Sequence, residues 1–229
     1  MKTKLLFIFA CTFMFGQDSL SQDLKLKSAV ITFNPAKIAK NTTGINLGVF
    51  DSYQKQKING INLQINPITL LYPLLPQAIP VPSEDEVTVI LNGIHISTGG
   101  MMDGAKLNGL GISIYHHARV TNGFSANLFN NTSGILNGIH VSGAANNSEK
   151  GAGITFAFMG NYSEKFTGLQ IGGFNEAKQM KGLQIGFVNK SENLKGIQVG
   201  IVNNNKNGRN FQLGFWNKNT KRTLPILNF

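Results

Sequence analysis

The chain repeats itself, and the repeat limits what it can fold into. Gly168-Leu-Gln-Ile-Gly172 returns as Gly182-Leu-Gln-Ile-Gly186, Gly196-Ile-Gln-Val-Gly200 and Asn210-Phe-Gln-Leu-Gly214. Asn175, Asn189, Asn203 and Asn217 each follow their start by seven residues. A fixed period of fourteen means that successive units must find equivalent surroundings, so the fold is an array or a regularly closed sheet. Weaker copies begin at Gly153, Gly138, Gly123, Gly109 and Gly93, and weaker ones still at Gly60 and Gly44. Between Gly60 and Gly93 residues 66–86 hold Pro67, Pro73, Pro76, Pro80 and Pro82 and end in Glu84-Asp85-Glu86. Proline cannot donate to a sheet ladder, so this stretch reads as an insert.

Each unit alternates with the period of a strand. Leu183, Ile185 and Phe187 point one way and Gly182, Gln184, Gly186 and Val188 the other; Ile61, Leu63 and Ile65 oppose Asn62, Gln64 and Asn66 in the same manner. A further apolar residue stands two places before each glycine, as in Leu107, Leu136, Phe166, Met180 and Leu194. Polar runs such as Lys190-Ser-Glu-Asn193 and Asn204-Asn-Lys-Asn207 then separate one strand from the next. So short a link joins antiparallel strands, because parallel neighbours need a crossover of about a dozen residues. The expected fold is all-β: an antiparallel up-and-down meander of about 12–14 short strands, closed as a β-barrel with its apolar face toward lipid. A parallel β-solenoid is the alternative, and the polar return segment, where a coil would want apolar residues facing in, weighs against it.

Lys2 and Lys4, the apolar run from Leu5 to Phe15, and Ser19-Leu20-Ser21 before Gln22 form the pattern of a cleaved secretory signal. Residues 1–21 are therefore expected to be a signal peptide, and 22–229 a single β-repeat domain with the Pro-rich insert at 66–86. Cys11, after Ile8-Phe9-Ala10, admits a lipoprotein signal as the alternative, although Phe9 is bulky for one. The net charge is +10, but basic residues such as Lys150, Lys165, Lys178, Lys190 and Lys206 are spread through the repeat turns. Nucleic-acid binders gather their charge into a patch beside reading elements, so no nucleic-acid partner is expected.

The same pattern bears on catalytic, metal and cofactor chemistry. His95 and His140 occupy the repeat position that Gln170 and Gln184 fill, three copies apart, and His116-His117 should point to opposite faces of a strand. No metal site, no cofactor and no catalytic residue is expected from this spacing. Asn131-Thr-Ser133, Asn161-Tyr-Ser163 and Asn189-Lys-Ser191 match a glycosylation pattern but read as turn residues. Phe174, Trp216, Phe129 and Tyr115 fall at strand ends, where they would form either an interface girdle or ordinary core. The candidate polar-face residues are Gln64, His95, His140, Gln170, Gln184, Gln198 and Gln212.

The tandem Gly-Leu-Gln-Ile-Gly-x-x-Asn units resemble a bacterial surface-repeat family of exported proteins. The upstream Asn59-Gly60, Asn92-Gly93, Asn108-Gly109 and Asn137-Gly138 variants and the ending from Trp216 to Phe229 carry the same likeness. It covers roughly residues 43–229, is specific in the last four copies and loose before Gly93, and brings no catalytic residues to transfer. It implies an exported protein at the outer membrane or cell surface of a double-membraned bacterium, with outer-membrane lipid as partner and no catalysis. The function expected is structural or passively permeable. The alternative is a secreted or surface-tethered soluble β-repeat scaffold whose polar sheet face binds a glycan or a protein.

Overall fold

The computed structural model describes residues 28–34, 41–49, 56–67, 69, 81, 83, 87, 89–100, 104–207 and 210–229. The expected signal segment with Cys11, and most of the 66–86 insert, lie outside the described residues. The strands in chain order are β1 (Ala29–Asn34), β2 (Asn41–Val49), β3 (Gln56–Ile65), β4 (Val89–Ser97), β5 (Ala105–Ser113), β6 (His116–Asn127), β7 (Asn130–Ser142), β8 (Ala145–Asn207), β9 (Asn210–Lys218) and β10 (Thr223–Asn228). They form one sheet in strictly sequential order. Among the described strands the pairings from β1 to β9 are parallel, and only β9 and β10 run antiparallel.

This corrects the expected barrel. The chain is a parallel β-solenoid of about ten turns, and neither an antiparallel meander nor a closed barrel. The crossover argument fails because the strand never ends: β8 runs for 63 residues and winds through successive coils. The polar runs taken as hairpin turns are part of the coil, and they pair with their own copies one turn later, as Asn203 does with Asn217 and Asn204 with Lys218.

Glycine makes the coil bend. Gly60, Gly93, Gly109, Gly123, Gly138, Gly153, Gly168, Gly182 and Gly196 stack in one column at φ between +116° and +150°, a region that side chains avoid. A Cβ at any of them would also run into the carbonyl oxygen of the glycine one coil earlier. The second glycine of the motif has another task. A Cβ at Gly186 would meet Asn175 Nδ2 at 2.6 Å and Asn189 Oδ1 at 3.3 Å, so the glycine clears space for the asparagine amides to fold inward. The Gly-x-x-Asn spacing is thus a steric pair.

The 66–86 insert leaves this stack unbroken. β3 and β4 pair in full register, Asn59 with Asn92 and Gly60 with Gly93, although 33 residues separate them. At the exit the Asn66 N–H donates to Thr98 Oγ1 at 2.6 Å, and that hydroxyl donates back to the Asn66 carbonyl at 3.0 Å. At the other end β10 folds antiparallel across the last coil. Asn228 Nδ2 donates to Gln212 Oε1 (3.1 Å) and to the Asn217 carbonyl (3.2 Å), while Arg222 Nε donates to Asn228 Oδ1 (3.0 Å) and its guanidinium lies over the Phe229 ring. The cap thereby covers the sheet edge that solenoids otherwise leave open. Phe229 belongs to this cap.

Candidate functional site: an amide-filled interior and an apolar outer face

The alternation read from the sequence holds, but with the polar side enclosed. Gln64, His95, His140, Gln170, Gln184, Gln198 and Gln212 are all buried, none more than 2% exposed. They line no lumen and offer no surface, so the polar sheet face expected to bind a partner is the interior of the coil. Ile61, Leu63, Ile65, Ile154, Phe156, Phe158, Ile185 and Phe187 face outward and are exposed. The apolar residues that do fill the interior are those two places before the glycines, Leu107, Leu136, Phe166, Met180 and Leu194.

An amide interior is tolerable only if it largely satisfies itself, since a buried polar group without a partner costs about 1–3 kcal/mol. In the last coils two ladders do so. Gln184 Nε2 donates to Gln170 Oε1 (2.8 Å), Gln198 to Gln184 (2.8 Å) and Gln212 to Gln198 (2.9 Å). A second ladder runs beside the first: Asn161 Nδ2 donates to Asn175 Oδ1 (2.8 Å), Asn175 to Asn189 (2.9 Å), Asn189 to Asn203 (2.9 Å) and Asn203 to Asn217 (2.7 Å). In the glutamine ladder each donor sits one coil after its acceptor, and in the asparagine ladder one coil before. The same asparagines also donate to backbone carbonyls, as Asn175 does to Ile185 and Asn189 to Val199. Asn131, Asn161 and Asn189, the glycosylation-like positions, are buried in this network and closed to modification.

Earlier coils fill the glutamine column differently. The register runs Asn46, Asn62, His95, Gly111, Ser125, His140, Thr155. His116, from the corner that opens β6, packs beside the place where Gly111 has no side chain, and its ring lies 6.5 Å from that of His95. His116 and His117 are both buried, against the expectation of opposite faces, because a corner does not keep strand alternation.

The network fixes the imidazole protons. Asn62 Oδ1 already accepts from Asn46 Nδ2 (2.7 Å) and Gln64 Nε2 (3.0 Å), so its amide nitrogen donates to His95 Nδ1 (3.0 Å) and the His95 proton resides on Nε2. Ser133 donates to Asn131 Oδ1 (3.0 Å), so Thr121 donates to Ser133 (3.0 Å) and accepts from His116 Nε2 (2.9 Å). His116 Nδ1 is left as a lone pair. Among the described residues His95 Nε2, His116 Nδ1 and His140 Nε2 are buried without a hydrogen-bond partner. Burial pushes His95 down to about 4 from the usual 6.5. Burial does the same to His140, also to about 4, against an opposing hydrogen bond to the Asn137 backbone. It also holds His116 well below the usual value, helped by the neighbouring histidines. Among the described residues no group of three or more His, Cys, Asp or Glu is placed to hold a metal ion.

The outer face is the other candidate, built from the apolar residues that the sequence alternation directs outward. Ile45, Ile61, Ile94, Leu110, Phe124, Ile139 and Ile154 stack in one outward apolar column that Ile197 and Phe211 continue, and the residues two places on form a second beside it. In the last coils Ile171, Ile185, Val199 and Leu213 border an open groove of about 630 Å³ whose floor includes Gly172, Gly186, Gly200 and Gly214. Phe174 and Trp216 are about half exposed, and Tyr115 stacks on the partly exposed Phe129 with ring centroids 5.2 Å apart, so these aromatics are not core. No family model matches this chain, and no curated protein or solved structure matches it either. Its class rests on the fold alone: a parallel, amide-filled β-solenoid with an apolar exterior.

Proposed function

We propose that this chain is an exported, non-catalytic solenoid of the outer membrane or cell surface of a double-membraned bacterium, which lies along lipid through its outer apolar face. The observation that carries the reading is the inversion of the strand pattern, with amide, hydroxyl and imidazole side chains enclosed and Leu, Ile, Val and Phe facing outward along the stack. About ten turns at about 4.8 Å make a face roughly 45 Å long, and three outward residues per turn make it roughly 15–20 Å wide. That is roughly 800 Å², beyond the largest apolar patch of ordinary monomers, about 300–600 Å². A face of this size is removed from water in the working protein. The resemblance to exported surface-repeat proteins supports the compartment.

The test is fractionation of producing cells. The full chain is expected in the outer-membrane fraction, and an Ile185→Glu, Leu213→Glu double variant in the soluble fraction with its β circular-dichroism signal intact. Recovery of the unaltered chain in the soluble fraction would overturn the reading.

A further inference from the structure

The outer face has a charged border, and its arrangement specifies which lipid the face would meet. Outward residues continue past the glycine corner in two more columns. The nearer one reads Asn59, Asn92, Asn108, Asn122 and Asn137 in the early coils and Lys181 and Lys195 in the late ones. The asparagines bond to one another at 2.8–3.0 Å, which leaves that stretch neutral and self-satisfied. The farther column places Lys57, Lys106 and Lys150 in register with Ile90, Val120 and Ile135, and Lys165 follows one coil later. Lys57, Lys150, Lys165, Lys181 and Lys195 are exposed and Lys106 is half-buried.

The described carboxylates lie elsewhere and are spoken for. Among the described residues they are Glu149, Glu164, Glu176 and Glu192, and each is paired: with Arg119 (2.8 Å), Lys178 (2.5 Å), Lys190 (2.8 Å) and Lys206 (3.1 Å). No such pair involves the six lysines along the apolar columns. A second copy laid face to face would have the area of an ordinary interface, about 800 Å² per partner. It would, however, bring lysine borders together with no free described carboxylate to meet them. A surface that is apolar below and anionic above satisfies both features at once.

We propose that the lysine border of the apolar face binds the phosphate headgroups of anionic lipids, so that the solenoid settles on negatively charged bilayers and discriminates against zwitterionic ones. The inference rests on the lipid-facing reading above and adds the headgroup to it. Acyl chains meet the Leu, Ile and Phe columns while Lys57, Lys106, Lys150, Lys165, Lys181 and Lys195 reach the headgroup layer, their alkyl stems lying along the apolar edge.

The experiment uses the full chain and two kinds of vesicle, phosphatidylcholine alone and phosphatidylcholine mixed equally with phosphatidylglycerol, read by flotation at low and high salt. Binding to the mixed vesicles is expected to be about a hundredfold tighter at low salt, with much of the advantage lost as salt rises. Lys181→Gln and Lys195→Gln, at exposed positions that leave the coil intact, should each reduce the preference by about fivefold. Equal binding to both vesicles would overturn the headgroup inference and leave the apolar contact standing. Binding to neither would remove both. A doubled mass by light scattering that Ile185→Glu halves would reassign the face to a second copy.

Discussion

The two halves of this solenoid share a backbone and differ in how their interiors are satisfied. From Gln170 onward the same amide returns at the same place in each coil, and the Gln184, Gln198 and Gln212 amides each donate to the glutamine one coil earlier. From Asn46 to Thr155 the column changes residue at nearly every step, and His95 Nε2, His116 Nδ1, His140 Nε2 and Thr155 Oγ1 are left without partners among the described residues. A polar interior is therefore not costly in itself. What it needs is repetition, because identical amides carry complementary donors and acceptors at the coil spacing.

The strongest way to separate the halves is acid. Buried neutral, His95 and His140 have folded values near 4 against 6.5 unfolded, so the stability they permit is fully present above 6.5 and is lost as pH falls toward 4. Each should contribute about 3 kcal/mol to that loss. Hydrogen exchange at pH 4.5 is expected to show lost protection in β4 to β7 and retained protection through the end of β8; uniform loss would mean that the halves unfold together. The next largest effect falls on the glycine column. Gly182→Val, at φ +128° and against the Gly168 carbonyl, should cost about 4 kcal/mol by urea denaturation, combining backbone strain with the clash.

Two matched substitutions then sharpen the contrast in the polar column. Gln184→Leu strips a donor from Gln170 and an acceptor from Gln198, and should cost about 3 kcal/mol. Thr155→Val removes a hydroxyl that has no partner, and should be neutral or stabilising in the same assay. A loss from Thr155→Val as large as that from Gln184→Leu would erase the distinction between the halves. The smallest effect is expected on the exposed rungs. Lys178 and Glu164 shift each other's titration, Lys178 upward and Glu164 downward, mainly through their shared hydrogen bond, yet Lys178→Ala should leave the urea midpoint unchanged within error.

Much of this was legible in the repeat. The period, the alternation of Leu183, Ile185 and Phe187 against Gln184, and the outward direction of the apolar residues all follow from spacing. Strand direction did not, for two reasons visible in particular residues. Asn189 and Ser191 were assigned to a solvated turn because they are polar, whereas both lie inside the coil, Asn189 bonded to Asn203 and Ser191 donating to Asn205 at 3.1 Å. An apolar interior is also the expectation for a coil, which ranks the solenoid alternative below the barrel. The signal that pointed the other way was the unvarying Gln of the last four copies with its Asn five residues later, the side chains that in-register parallel stacking pairs best. The histidine corner had no such signal, because nothing in the spacing shows that Gly111 leaves room for His116.

The opposite senses of the two inner ladders have a consequence for length. A column of amides bonded head to tail adds its dipoles along the axis, as a helix does, and concentrates partial charge at its ends. The glutamine column has its donors on the later coil and the asparagine column on the earlier coil, so the two dipoles oppose each other within every turn. Each fourteen-residue unit added to the stack therefore contributes almost no net axial field from these side chains. A repeat that cancels itself in this way can be copied many times without an electrostatic cost that grows with the number of coils.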